Sequence, residues 1–286
     1  MKVLVTGGTG FIGANLIRRL MERGDEIASL APARSDGLGS ITQVEGSILD
    51  PETLDKAVEG KDCVFHLAAN SFVGKAEADA LSDFDVNVKG TYAVASACKR
   101  HGAKMVFTST AMVYGRPGKF QEDAKCEPKN TYSFHKHLAE QCCNRLANSG
   151  LRVAIARFSN VYGPGQKNRV IPDLFEKLLA NDFLEIRGNS ADTRDFLFIG
   201  DAIDALLLLA EKGNGTYNVG SGQAVEIREL AKKIMKAAGK QVPTKEQYDK
   251  ASATSYIVDN SKISALGWKP KTPLSVGLEK MADSLR

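Results

Sequence analysis

The first half of this chain alternates short, uninterrupted apolar runs with longer stretches of helical spacing, and that rhythm constrains its fold more than any other feature. Val3-Leu4-Val5 reads as a strand, and Gly10 to Arg23 as a helix with apolar residues at helical intervals. Ile27 to Leu30 and Ile41 to Val44 read as second and third strands, and Pro51 to Glu59 as a helix opened by its proline. Cys63-Val64-Phe65-His66-Leu67 is a fourth strand, followed by one long helix predicted over Leu81 to His101. Met105-Val106-Phe107 is a fifth, Thr131 to Ser149 another helix, and Val153 to Ala156 closes the series. Strands that are apolar throughout must be covered on both faces, which helices between parallel strands accomplish. The expected fold is an α/β domain with a doubly wound parallel sheet. After about Asn160 the elements shorten, ending in Trp268-Lys269-Pro270-Lys271-Thr272-Pro273, and this half is expected to form a smaller second domain.

Thr6-Gly7-Gly8-Thr9-Gly10-Phe11-Ile12-Gly13 lies where the first strand meets the first helix. Glycines there permit a tight turn and close backbone approach, and the helix N-terminus offers free N–H groups and a favourable dipole to a pyrophosphate. A glycine triplet alone is weak, but in this strand–turn–helix context dinucleotide binding is expected. An acidic residue ending the second strand usually holds the adenosine ribose in NAD sites. Here that place falls on Ala31, with Arg34 and Ser35 just beyond. Arg34 reads equally as a ligand for the extra phosphate of NADP and as a solvated loop residue, so NAD is expected with NADP left open.

Tyr132 and Lys136 stand four apart at the start of a predicted helix and project from one face. A free phenol is a poor base at neutral pH, but a neighbouring ammonium favours the phenolate. The pair can take a proton from a hydroxyl or return one to a carbonyl. Thr110 follows the fifth strand, and strand carboxyl ends are where open α/β sheets place their ligands. Its hydroxyl could bond the reacting oxygen, whereas Thr108 reads as a residue satisfying local backbone.

Composition closes off other classes. A net charge of +4 spread over 286 residues argues for neither nucleic acid nor membrane as partner. The five cysteines, Cys63, Cys98, Cys126, Cys142 and Cys143, include no CxxC and are odd in number. They read as buried free thiols rather than a disulfide framework or a metal site. No stretch approaches the ~20 apolar residues of a membrane span, and the apolar start is too short for a signal-peptide core. A cytoplasmic protein is expected.

Assembled in order, the motifs resemble the extended short-chain dehydrogenase/reductases, the NAD-dependent epimerase/dehydratase family and its UDP-galactose 4-epimerase-like nucleotide-sugar enzymes. They are VTGGTGFIG from Val5, VFHLAA from Val64, NVKGT from Asn87, TSTAMVYG from Thr108 and YSFHK from Tyr132. RFSNVYGPGQ from Arg157, TRDFLFIGD from Thr193, YNVGSG from Tyr217 and LGWKPK from Leu266 complete the set. The resemblance implies a Rossmann domain over 1–160, able to recruit later segments, and a mainly substrate-binding domain over 161–286. It implies cofactor contacts at Gly7, Gly10, Phe11, Ile12, Gly13, Arg34, Ile48, Leu67, Ala68, Ala69, Asn87, Tyr132 and Lys136. Tyr132 would be the acid/base, Lys136 its partner and Thr110 the ligand of the reacting oxygen. Asn160 and Arg194 would meet the nucleotide diphosphate, no metal is required, and a homodimer through the helices near 81–101 and 131–149 is expected.

Departures narrow the reaction. Dehydratases of the family carry an Asp-Glu pair just after the catalytic threonine, and decarboxylating relatives a glutamate there; this chain has Ala111 and Met112. Gly165, Lys250 and Ser47 replace an arginine, an arginine and an aspartate common in the family. The resemblance therefore implies C4 epimerisation of a nucleoside-diphosphate hexose through a 4-keto sugar. An NADPH-dependent 4-ketosugar reductase is the alternative, and a non-catalytic NAD(P)-binding protein is disfavoured by the intact Tyr132–Lys136 pair.

Overall fold

The computed structural model of this chain describes residues 1–247 and 256–285; Lys250 lies outside the described residues. The elements run β1 (Lys2–Thr6), α1 (Phe11–Glu22), β2 (Glu26–Ala31), β3 (Thr42–Glu45), α2 (Pro51–Val58) and β4 (Cys63–His66). Next come α3 (Val73–Ala78), α4 (Ala80–Phe84), a π-helical turn (Asp85–Gly90), α5 (Thr91–His101), β5 (Lys104–Thr110) and β6 (Gly118–Phe120). They continue through α6 (Thr131–Ala147), β7 (Val153–Phe158), β8 (Asn160–Tyr162), α7 (Val170–Ala180), β9 (Leu184–Arg187), β10 (Thr193–Arg194) and β11 (Phe196–Phe198). The rest are α8 (Ile199–Lys212), β12 (Gly215–Val219), β13 (Val225–Glu226), α9 (Ile227–Ala238), β14 (Thr244–Gln247), β15 (Tyr256–Val258), α10 (Ser261–Ser264) and α11 (Leu274–Asp283).

Two compact units result. The first contains residues 1–115, 125–158 and 203–217; the second contains 116–124, 159–202 and 218–286. Where the sequence divides the chain at about residue 160, the structure thus gives 116–124 to the second unit and 203–217 to the first.

The first unit is built on a seven-stranded sheet in the order β3-β2-β1-β4-β5-β7-β12. All five pairs from β3 to β7 are parallel. The strands read as uninterrupted apolar runs because both faces are covered: Val3, Leu4, Val5, Val64, Phe65, Met105, Val106 and Phe107 are fully buried. Helix α1 buries Gly13, Leu16, Ile17 and Leu20, a stripe at helical spacing. Helix α2 starts where Asp50 accepts from the Glu52 N–H, with Pro51 in the first turn. Strand order reverses between β1 and β4, so their carboxyl ends flank the crevice where such sheets bind ligands.

The helix expected over 81–101 is continuous from Ala80 to His101, with a π-helical stretch at Asp85–Gly90 between α4 and α5. Asn87 is fully buried, and the Thr91 hydroxyl donates to the Asn87 carbonyl at 2.7 Å, within the stretch where the spacing widens to a π-turn. A side chain bonded into the helical ladder is one of the few causes of such an interruption. All five cysteines are free, but only Cys63, Cys98 and Cys143 are buried; Cys126 and Cys142 are partly exposed, against the expectation for all five.

In the second unit, β13-β10-β15-β6 form one sheet, and β8 with β11 and β9 with β14 form parallel pairs. Two buried carboxylates organise it. Asp195 accepts from the Ser159 and Ser221 hydroxyls and from the N–H groups of Ser221 and Gly222. Asp201 accepts from the N–H groups of Lys271 and Thr272, each at 3.0 Å, while the Trp268 indole donates to the Asp201 carbonyl. These bonds explain the LGWKPK run as an anchored segment. No helix among the described residues is long and apolar enough to cross a membrane.

Candidate active site

The glycine turn fits a diphosphate. Gly7 adopts φ +73°, and a Cβ there would stand 2.6 Å from the Ala68 nitrogen. A Cβ at Gly13 would collide with the Gly7 carbonyl, so both positions must be bare for the turn to close. Gly10 caps α1 with no side-chain bond, and no acidic residue stands in the first turn. The first intrahelical bond is from Ala14 N–H to the Gly10 carbonyl at 2.9 Å. The N–H groups of Phe11, Ile12 and Gly13 precede it, so the helix itself leaves them for an anion. Behind the turn, Thr6 Oγ1 meets His66 Nδ1 at 2.8 Å and accepts from the Ala68 N–H at 3.3 Å.

Leu67, Ala68 and Ala69 follow β4, half-buried at the end of the strand beside β1. Ile48 follows β3 and is 7% exposed, within the core that packs on α5. Arg34 is exposed beyond β2, where the neighbouring Ser35 is pinned by Gln43 through two hydrogen bonds. Asn87 grips the backbone of Asn70, accepting from its N–H at 3.1 Å and donating to its carbonyl at 2.9 Å. That grip holds the strand-end segment after β4 in place.

The reacting groups stand on β5 and α6. Thr110 ends β5, 8% exposed, and its hydroxyl oxygen accepts from the Met112 N–H at 3.2 Å, leaving its own proton to donate. Thr108 donates to the His66 carbonyl, the local role expected of it. Helix α6 opens with a capping box between Asn130 and Ser133, which sets Tyr132 in the first turn. Lys136, one turn on, is 1% exposed, its Nζ 4.2 Å from the centre of the Phe107 ring. Burial brings the lysine down to about 8, against the smaller opposing influence of Glu140, Cys143 and Asp83. Fully buried His66 is brought down to about 3 by burial and by the Lys136 charge, so it is neutral.

In the second unit, Asn160 donates from its side chain to the Asp195 carbonyl at 2.9 Å. Arg194 lies on β10, half-buried, with its Nε shielded from solvent and lacking a hydrogen-bond partner among the described residues. A buried guanidinium nitrogen without an acceptor favours an incoming anion.

The model of the NAD dependent epimerase/dehydratase family matches residues 3–220 of the chain. The chain belongs to this family. Its cofactor is NAD, and the cradle just described suits that dinucleotide. The chain is 32% identical to a UDP-glucose 4-epimerase of Mycolicibacterium smegmatis, over 100% of the chain and 99% of that protein. It is 31% identical to a dTDP-D-glucose 4,6-dehydratase of Mus musculus, over 100% of the chain and 88% of the relative. In structure it resembles a Thermus thermophilus UDP-glucose 4-epimerase solved with NAD, with a TM-score of 0.92, 28% identity and coverage of 100% and 99%.

In this family member Ala111 is fully buried in the short 3-10 turn Ala111–Tyr114, so no carboxylate follows Thr110. Ser47 turns its hydroxyl oxygen to the Leu49 N–H, and Gly165 adopts φ +84°. Sequence reasoning missed a second layer. Arg157 holds Glu140 through Nε at 3.0 Å and Nη2 at 2.7 Å, and donates to the Tyr114 hydroxyl at 3.0 Å, all three residues being buried. It also missed Asp83, 1% exposed, which meets His135 Nδ1 at 2.7 Å and accepts from Asn87 at 3.0 Å. The four-residue interval from Asp83 to Asn87 was a usable signal; the 52-residue interval to His135 was not.

Proposed function

We propose that this protein is a nucleotide-sugar 4-epimerase that interconverts nucleoside-diphosphate hexoses differing at C4. The observation that carries the reading is the buried Lys136 one turn from Tyr132, joined to a Thr110 that no acid/base pair follows. Tyr132, as phenolate beside the Lys136 ammonium, takes the proton of the C4 hydroxyl. Thr110 donates to the same oxygen as it becomes a carbonyl. When bound, NAD would supply the acceptor and, once reduced, the donor for the C4 hydride. Tyr132 then gives its proton back to the C4 oxygen after the 4-keto sugar has presented its other face. Eliminating water would need a second acid/base set, and Ala111 and Met112 offer none. Arg194 and Asn160 are the residues we assign to the nucleotide diphosphate, the unpartnered Nε of Arg194 supporting that role.

Denaturing the purified protein should release near-stoichiometric NAD, and UDP-galactose should convert to UDP-glucose without added cofactor. Tyr132→Phe should lose conversion by at least about a hundredfold while retaining the dinucleotide. Full activity in Tyr132→Phe, or no conversion of any nucleotide hexose by the parent protein, overturns the reading. One observation favours a second reading: β2 ends at Ala31 with exposed Arg34 beyond it, which suits a 2′-phosphate. Net oxidation of NADPH by a 4-keto-6-deoxy sugar nucleotide would assign the protein as a 4-ketosugar reductase.

We also propose a homodimer. Leu81 (82% exposed), Phe84, Tyr92 and Phe134 place an apolar face on α4, α5 and α6 that a second copy would cover.

A further inference from the structure

We propose that Asp83 and His135 form a buried positioning pair that fixes the first turn of α6 and sets the electrostatics of the Tyr132–Lys136 pair. The proposal rests on the reading of Tyr132 as the acid/base. The first turn of α6 is held at two points on either side of Tyr132. Thr131 donates to Glu77 on α3 from its N–H at 2.7 Å and its hydroxyl at 2.9 Å. His135 meets Asp83 on α4 at 2.7 Å, with side-chain exposures of 8% and 1%. The other Asp83 oxygen takes the Asn87 amide, whose remaining bonds grip Asn70 behind the cofactor turn. One carboxylate thus ties the helix carrying Tyr132 and Lys136 to the segment that follows β4.

A purely packing role would not need this chemistry. Burying a carboxylate is costly, and apolar residues of similar volume hold helices together at least as well. What the pair adds is direction and charge. The imidazole has one acceptor at fixed angle, and Phe84 and Phe134 flank the ring at 5.5 and 5.8 Å between centroids. The charge matters because burial works against the Lys136 ammonium. The groups that act on it are Glu140 and Cys143 from its own helix, Asp83 from α4 and His66 from β4, with the Phe107 ring from β5. Glu140 is already engaged by the Arg157 guanidinium, and His66 is neutral. Asp83 is the carboxylate toward Lys136 that no guanidinium occupies, and it favours the ammonium on which the Tyr132 phenolate depends.

The test is the ionisation of Tyr132, read as the ultraviolet difference spectrum between each NAD-loaded protein and its Tyr132→Phe counterpart. Asp83→Asn should move that ionisation to higher pH by about half a unit or more. It should lower kcat about tenfold, with KM and bound NAD unchanged. His135→Asn, which keeps an N–H donor toward Asp83, should remain within about threefold of the parent, whereas His135→Leu should behave like Asp83→Asn. An unmoved Tyr132 ionisation in Asp83→Asn overturns the proposal, as does equal damage in His135→Asn and His135→Leu. If Asp83→Asn does not fold, the two His135 variants decide by the same titration. The titration needs no substrate, so absence of turnover would sink the epimerase reading alone.

Discussion

His66 shows how one residue ties stability to the site. Its two nitrogens face Thr6 and Thr91, at 2.8 and 3.0 Å, linking the cofactor turn to the start of α5. Burial takes it down to about 3 from the ordinary 6.5. Its folded pKa is depressed, so below about 6.5 the unfolded chain takes up a proton that the folded one refuses. Stability should therefore fall as pH drops from 6.5 toward 3. Urea denaturation across that range should show the slope in the parent protein, and His66→Asn should flatten it. A parent whose stability is level from pH 7 to about 4 would contradict the assignment. Tyr132, Lys136 and Thr110 stand out as candidates in the sequence because a helical interval and a strand end are local facts. The Asp83–His135 and Arg157–Glu140 contacts were not, since only tertiary folding brings those partners together.

Among the elements, the β1–α1 turn was the most legible, because its glycines answer a local steric demand. Gly7→Ala would put a side chain at φ +73° against the Ala68 backbone. We expect a loss of about 1–3 kcal/mol in stability and of most retained NAD, seen by thermal unfolding and by dinucleotide release. Unchanged NAD content would mean that the turn does not hold the diphosphate. The helices from 80 to 101 were less legible. Their apolar spacing gave no hint of the π-turn, which arises from the buried Asn87 and the Thr91 hydroxyl. The long α6 was well placed from the sequence, and the structure fixes its start with the Asn130–Ser133 capping box.

For the whole molecule, the parallel sheet followed from strands that are apolar on both faces. The second unit was harder to read, because its short strands depend on buried carboxylates such as Asp195 rather than on periodicity. The proposed dimer gives a prediction at this scale. Sedimentation should show two copies, and Leu81→Glu with Phe134→Glu should give a folded monomer; a parent protein that already sediments as a monomer refutes it. The assignment of residues 203–217 to the first unit also bears on the order of events during synthesis. A nascent chain that has emerged only as far as β7 presents that strand with an open edge, since its sheet neighbour β12 comes some sixty residues later in the sequence. The sheet cannot close as the ribosome delivers it. It waits until residues 159–202 of the second unit have been made, and until then an unpaired edge is exposed to other nascent chains, a window in which chaperone protection should matter most.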